Sequence, residues 1–80
     1  MTEKQMKYPN LIKQLRMQRE EFWKLKDFAS ALGISRAMMI QYEKGQSFPG
    51  LANLKKILEG LNTDLNTLYP KANDSTGASN

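Results

Sequence analysis

A single glycine, Gly33, does most to constrain the fold of this chain, because it interrupts an apolar pattern that has helical spacing. Before it, Phe28 and Leu32 stand four residues apart. After it, Met39 and Tyr42 stand three residues apart. Side chains at these spacings share one face of a helix. The pattern therefore predicts two short helices joined by a tight turn at a steep angle.

The ends of these two helices are marked by residues that cap helices. Glycine takes the left-handed conformation without a Cβ penalty, so Gly33 is a typical helix end. Serine is a typical N-cap, and Ser35 stands two positions later. These residues predict one helix over about 25–32 and another over about 35–44. The small side chain of Ala29, one turn before the glycine, allows the two helices to cross closely.

The rest of the body is also predicted to be helical. Apolar spacing and capping residues predict helices over about 10–21 and 51–60, and a short fifth helix that begins at Asp64. Phe22 and Trp23 follow the first helix, where we expect them to fill the core at a corner between helices. The alternative for these two rings is a surface position that stacks on nucleic-acid bases. No run of residues alternates as a strand does, so the predicted fold class is all-α, a compact five-helix domain.

The chain is long enough for one domain with a single core. Residues 1–9 are predicted to form a polar N-terminal arm, and residues 10–70 the folded domain. Residues 71–80 contain too little apolar area to be buried, so we expect them to be disordered. No segment near the N-terminus is apolar enough for a signal peptide or a membrane span.

The residue inventory argues against an enzyme. The 80 residues include no histidine and no cysteine, which removes the commonest general base, the thiol nucleophile and the main zinc ligands. The adjacent acids Glu20 and Glu21 point in different directions on a helix and do not form a catalytic pair. We therefore expect no catalytic residue, no metal, no cofactor and no small-molecule ligand.

The net charge of +4 is spread unevenly along the chain. Residues 1–56 hold eleven basic side chains and five acidic ones, whereas residues 57–80 hold one basic and three acidic. A basic body favours a polyanionic partner such as nucleic acid. A solvated, lysine-rich surface is the alternative explanation.

Several short motifs occur together at fixed spacings between Leu11 and Tyr69. They are Phe28-Ala29, Gly33-Ile34-Ser35, Met39, Tyr42-Glu43-Lys44-Gly45, and Pro49 followed by Asn53-Leu54. This combination resembles the helix-turn-helix of the Cro/C1-type (lambda-repressor-like) family of phage, plasmid and bacterial regulators. The resemblance implies a helix-turn-helix at helices 2 and 3. It also implies a sequence-specific transcriptional regulator, expected to be a repressor, that is cytoplasmic and encoded by a bacterium, phage or plasmid.

The resemblance further implies that helix 3 reads double-stranded DNA in the major groove. Its base-reading side chains are expected to be Arg36, Ala37, Ile40 and Gln41. Arg36 can form a bidentate pair with guanine O6 and N7, and Gln41 can pair with adenine N6 and N7. Ala37 or Ile40 can contact a thymine methyl group. The alternative for Arg36 and Gln41 is an ordinary solvated position on an exposed helix.

Contacts to DNA phosphates are expected at the two ends of the helix-turn-helix, from Lys24, Lys26, Ser35, Lys44, Gln46 and Ser47. Ser35 offers its hydroxyl and the free N–H groups of a helix start. The family usually has Ser-Gln where this chain has Lys24-Leu25. We therefore expect Lys24 or Lys26 to supply a flexible charge in place of the family's phosphate-binding glutamine.

Glu43 is the one acid of helix 3, where a carboxylate facing DNA would repel phosphate. The resemblance implies that Glu43 turns inward and pairs with an arginine of helix 1. Arg16 is the better match, and Arg19 is the alternative because the chain carries two extra residues between helices 1 and 2. Such a pair is structural and fixes the geometry of the helices.

A homodimer on an inverted repeat is the expected DNA-bound form. One recognition helix covers only a few base pairs, and related regulators pair two of them about 34 Å apart. The expected dimer contact is formed by apolar side chains near the end of the domain, Leu61, Leu65, Leu68 and Tyr69. The arm residues Lys4 and Lys7 can add contacts to the groove or backbone.

A second function is compatible with the same motifs. A Cro/C1-type fold can serve as a protein-interaction module with a protein partner, for instance as the antitoxin of a toxin–antitoxin pair. The salt dependence of binding to random duplex DNA separates the two functions, because phosphate neutralisation gives a steep dependence and a protein-interaction module gives none.

Overall fold

The computed structural model describes residues 7–70, which fold into five helices. In chain order they are α1 (Ile12–Met17), α2 (Leu25–Leu32), α3 (Arg36–Glu43), α4 (Leu51–Leu61) and α5 (Leu65–Leu68), with a 3₁₀ turn at Glu20–Phe22. The described residues contain no strand, so the prediction of an all-α five-helix fold is confirmed. The predicted tail, 71–80, and the first six residues of the predicted arm lie outside the described residues.

The boundary between α2 and α3 lies at the residues that the sequence indicates. Gly33 ends α2 in the left-handed conformation, with a φ of 71°. The N–H of Ile34 then donates to the carbonyl of Ala29 (3.0 Å), which closes the last turn of α2. Ser35 begins α3, because its Oγ accepts a hydrogen bond from the N–H of Met38 (3.1 Å).

The first helix is shorter than predicted, because α1 ends at Met17. Arg19 is extended, with a ψ of 125°, and precedes the 3₁₀ turn. The break has a tertiary cause. Arg16 Nη1 donates to the carbonyls of Phe22 (3.0 Å) and Trp23 (2.6 Å), which folds the chain back toward α1. A helix that continued to residue 21 would carry these carbonyls away from the guanidinium.

The two aromatic residues at this corner have different environments. Phe22 is half-buried, and its ring packs edge-on against Phe28 with the ring centroids 5.0 Å apart. Trp23 is 58% exposed, so the prediction that it fills the core is wrong. Its backbone carbonyl is the part that faces Arg16, and its ring is left at the surface.

The core lies where the five helices meet. Each helix contributes one large apolar side chain with no exposed surface, and these are Ile12, Phe28, Met39, Ile57 and Leu68. Ala29 is buried on α2, the helix that packs most extensively against α3. A larger side chain at that position would have to separate the two helices.

Three of the four residues predicted to form a dimer contact belong to this core instead. Leu61, Leu68 and Tyr69 are buried inside the protomer, and Leu65 is the exposed member of the group, at 42%. The short α5 closes the core over the start of α1, where the N–H of Leu11 donates to the carbonyl of Leu68 (3.0 Å). The prediction is wrong for the three buried residues: Leu61 lies on the buried face of α4, and the four-residue α5 stays attached through Leu68 and the adjacent Tyr69.

Polar residues define the junction between α4 and α5. Asn62 ends α4 with a positive φ of 54°. Asp64 begins α5, where its Oδ1 accepts a hydrogen bond from the N–H of Thr67 (2.9 Å). This bond stabilises the carboxylate and lowers the pKa of Asp64. None of the helices within residues 7–70 is both long enough and apolar enough to cross a membrane.

Candidate nucleic-acid interface

The helix α3 has one face in the core and one at the surface. Met39 and Tyr42 are buried and fix the inner face. The residues that the sequence assigns to DNA contact lie on the other side: Arg36, Ala37, Gln41 and Lys44 are exposed, and Ile40 is half-buried. Their spacing of one, three or four positions places them on one outer face of the helix. The four predicted base readers therefore share a single surface.

The acid of α3 does not lie on that surface. Arg16 Nε donates to Oε2 of Glu43 at 2.6 Å, and Nη2 donates to Oε1 at 3.3 Å. The two side chains are only 5% and 7% exposed. This bidentate pair joins α1 to α3 and turns the carboxylate toward the interior. The arrangement leaves the outer face of α3 with no acidic side chain.

Arg16 also holds the segment that precedes α2. Nη1 donates to two backbone carbonyls, those of Phe22 and Trp23, so one guanidinium joins α1, α3 and the approach to α2. Sequence reasoning anticipated a partner for Glu43 but missed these carbonyls, because backbone acceptors leave no signature in the residue pattern. Arg19, the alternative partner, lies instead near Glu21, with Nε 3.8 Å from Oε2.

The chain folds back on itself where α3 ends. Gly45 is buried and left-handed, with a φ of 72°, and the N–H of Gln46 donates to the backbone carbonyl of Gln41 (3.0 Å). Ser47 Oγ then donates to Gln41 Oε1 at 2.9 Å. The sequence indicated a helix end at Gly45, but it gave no sign that a predicted phosphate contact, Ser47, would meet a predicted base reader.

The segment before α1 is attached to the same end of α3. The N–H of Tyr8 donates to the carbonyl of Gly45 (2.8 Å), and Asn10 Nδ2 donates to the carbonyl of Tyr42 (2.9 Å). The ring of Tyr8 also packs against that of Phe48, with centroids 5.5 Å apart. The last residues of the predicted arm are therefore part of the folded domain.

The other residues predicted to contact phosphate lie at the ends of α2 and α3. Lys24 and Lys26 are exposed at the start of α2, and Lys24 makes no side-chain hydrogen bond to that helix. Ser35 is exposed at the start of α3, while Lys44 and Gln46 are exposed beyond its last turn. Basic and hydrogen-bonding groups thus flank the outer face of α3 along the chain.

A family sequence model described as helix-turn-helix matches residues 12–68, which run from the start of α1 to the end of α5. The HTH-type transcriptional regulator SutR of Escherichia coli (strain K12) is 42% identical over 65 residues, which cover 81% of this chain. The matched region is 35% of SutR, so the chain spans about a third of the length of this curated relative. No solved structure gives a significant match.

Proposed function

The chain belongs to the Cro/C1-type helix-turn-helix family, and from this membership we propose that it binds double-stranded DNA sequence-specifically and represses transcription by occupying an operator. In this proposal α2 and α3 form the helix-turn-helix, and α3 enters the major groove. The relative SutR is named a transcriptional regulator, which supports the same class of activity.

The position of Glu43 is the observation that carries the proposal. Glu43 is the one acid in α3, and its side chain is enclosed and bound to Arg16. The outer face of α3 therefore presents Arg36 and Lys44 without a neighbouring carboxylate of its own. Duplex DNA is a dense polyanion. Exposed basic side chains on a helix that approaches it therefore strengthen binding, and exposed acidic side chains weaken it.

The exposed side chains of α3 match the chemistry of base edges. Arg36, in the first turn, offers the planar fork that pairs with O6 and N7 of guanine. Gln41, one turn further, offers a carboxamide that pairs with adenine. Ala37 and the half-buried Ile40 supply apolar surface for a thymine methyl group. Each such reader contributes about 1–3 kcal/mol of discrimination against a wrong base.

Phosphate contacts position this helix on the duplex. Ser35 lies at the N-terminus of α3, where unpaired backbone N–H groups attract an anion. Lys44 and Gln46 lie at the other end of α3, and the exposed Lys24 and Lys26 lie at the start of α2. These groups hold the protein on any sequence, whereas the base-reading side chains select one.

A homodimer on an inverted repeat is the assembly that we propose for operator binding. The eight residues of α3 reach only a few base pairs, and two copies about 34 Å apart read two half-sites. Leu65 is the predicted contact residue that is exposed, so it is available for an isologous contact around a two-fold axis.

Selection of bound sequences from a random duplex pool tests the proposal. We expect enrichment of one inverted repeat with half-sites about one helical turn apart, and a steep fall of affinity with salt. Sedimentation on the selected duplex should give two protomers per site. Lys56→Ala is a matched charge control, because Lys56 is exposed on α4 and has no assigned DNA contact.

Two results would contradict the proposal. Absence of any enriched sequence would remove sequence-specific recognition. Binding to random duplex that does not change with salt, or no binding at all, would indicate the protein-interaction function instead.

A further inference from the structure

Two hydrogen bonds converge on Gln41 from the turn that follows α3. The N–H of Gln46 donates to the backbone carbonyl of Gln41 (3.0 Å), and Ser47 Oγ donates to the side-chain Oε1 (2.9 Å). Gln41 is exposed, so the carboxamide would otherwise sample several rotamers. A side chain proposed to read a base is therefore already held by its own domain.

The turn geometry places Ser47 in position to make this bond. Gly45 is left-handed at a φ of 72° and buried, and its N–H donates to the carbonyl of Tyr42 (3.0 Å). These bonds reverse the chain direction over the last turn of α3. Ser47, two positions after Gly45, then lies beside Gln41, four positions before it. The Ser47–Gln41 contact is thus a consequence of how α3 ends.

We infer that Ser47 is a positioning residue for base recognition by Gln41, an inference that rests on the proposed function. A carboxamide has an acceptor oxygen and a donor nitrogen, and a half-turn of its last torsion exchanges them. In the structure the Ser47 hydroxyl donates to the oxygen, which restricts where the carboxamide lies and leaves its N–H groups free for a base edge. The oxygen keeps a second lone pair, so it can still accept from a base edge.

The bond to Ser47 narrows the base preference at one position, because it limits where the carboxamide can lie. Adenine presents an acceptor and a donor in the major groove, whereas guanine presents two acceptors. A carboxamide that samples several rotamers can approach either base from more than one direction, whereas one bound to Ser47 approaches from a single direction. Ser47 therefore acts on specificity through Gln41, and this role differs from the phosphate contact that the sequence suggested.

Four variants test this role on the selected duplex and on duplexes with single base changes. Ser47→Ala should reduce discrimination between bases at one base pair by about fivefold, which is near the smallest discrimination that one base-reading side chain contributes. Affinity for random duplex and its salt slope should not change. Gln41→Ala should broaden the preference at the same base pair, and adding Ser47→Ala to it should have no further effect. Ser47→Thr keeps the hydroxyl and should retain the discrimination.

A measurement without DNA supplies an independent readout. In the wild type, the side-chain NH₂ signals of Gln41 should report an ordered carboxamide by NMR relaxation, and Ser47→Ala should make it mobile. Equal mobility in both proteins would overturn the inference while leaving DNA binding intact. An equal loss of affinity for all duplexes in Ser47→Ala would also overturn it, because that pattern indicates a phosphate contact. If the wild type itself has no sequence preference, the proposed function fails, and the inference fails with it.

Discussion

Arg16 and Glu43 are 27 positions apart and lie on different helices, yet Arg16 Nε is 2.6 Å from Glu43 Oε2. Both side chains are enclosed, and the same guanidinium also holds two backbone carbonyls before α2. The pair therefore couples the position of α3 to the position of α2. Removal of one partner leaves a buried charge without compensation, which is far more costly than loss of a surface ion pair.

The first prediction concerns this pair. Arg16→Ala should lower the free energy of unfolding by about 3–5 kcal/mol, because it strands the Glu43 carboxylate and two carbonyls. Chemical denaturation measures the change. Arg19→Ala is the matched control. Arg19 is more exposed, and its Nε is as far as 3.8 Å from Oε2 of the exposed Glu21, so this substitution should lower the free energy of unfolding by less than about 1 kcal/mol. Equal effects of the two substitutions would assign no special role to Arg16.

The second prediction separates base reading from phosphate binding. Arg36→Ala should weaken operator binding by about 1–3 kcal/mol and leave random-duplex binding nearly unchanged. Lys44→Ala should weaken both and reduce the salt slope by about one. Fluorescence anisotropy at several salt concentrations measures both quantities. If Arg36→Ala lowers the two affinities by the same factor, Arg36 contacts phosphate and does not read a base.

The third prediction concerns the turn between α2 and α3. A Cβ at Gly33 would meet no atom within 4 Å apart from its neighbours in the chain, so the cost of substitution comes from the φ of 71°. Gly33→Val should destabilise the fold by about 1–3 kcal/mol, because a β-branched residue resists the left-handed conformation. Gly33→Asn should cost much less, because asparagine tolerates this conformation. Thermal or chemical unfolding that ranks the two variants equally would contradict the backbone explanation.

The fourth prediction concerns Tyr69 and alkaline pH. Its ring is buried, and among residues 7–70 its hydroxyl has no hydrogen-bond partner. Burial, with a smaller contribution from Tyr42, raises the pKa of Tyr69 from 10.0 to about 12. The folded state thus holds this proton more tightly than the unfolded state. The resulting stability is fully present below pH 10 and is lost as the pH rises through 12.

The Tyr69→Phe variant tests this reasoning at two pH values. At neutral pH it should retain full stability or gain up to about 1 kcal/mol, because it removes an unpaired buried hydroxyl. Above pH 10 its unfolding should depend less on pH than that of the wild type. A clear loss of stability at neutral pH would mean that the hydroxyl has a partner.

The sequence predicted those features that depend on local backbone chemistry. Gly33 and Ser35 place the turn because the left-handed conformation and the helix N-cap are properties of single residues. The family resemblance implied the inward turn of Glu43 and left two arginines as partners. The match to the family motif favoured Arg16 over Arg19, but the choice also depends on where α1 ends.

The features that the sequence did not predict depend on distant contacts. The end of α1 and the exposure of Trp23 follow from hydrogen bonds between Arg16 and two backbone carbonyls. Leu61 and Leu68 are apolar, as residues of a dimer interface often are, but both are buried in the core of the domain. Whether an apolar side chain faces inward or outward depends on the packing of all five helices, which helical spacing alone does not determine.

The attachment of Tyr8 and Asn10 to the end of α3 has a practical consequence for work with this protein. Their hydrogen bonds occupy the carbonyls of Gly45 and Tyr42, which helices otherwise expose at their C-terminal ends. Truncation of the chain at α1 would remove both bonds: the carbonyl of Gly45 would lose its partner, that of Tyr42 would keep only the N–H of Gly45, and the last turn of α3 would fray. Truncated or N-terminally tagged versions of the protein should therefore keep residues 8–10. An affinity tag in place of these residues would disturb the helix proposed to read DNA.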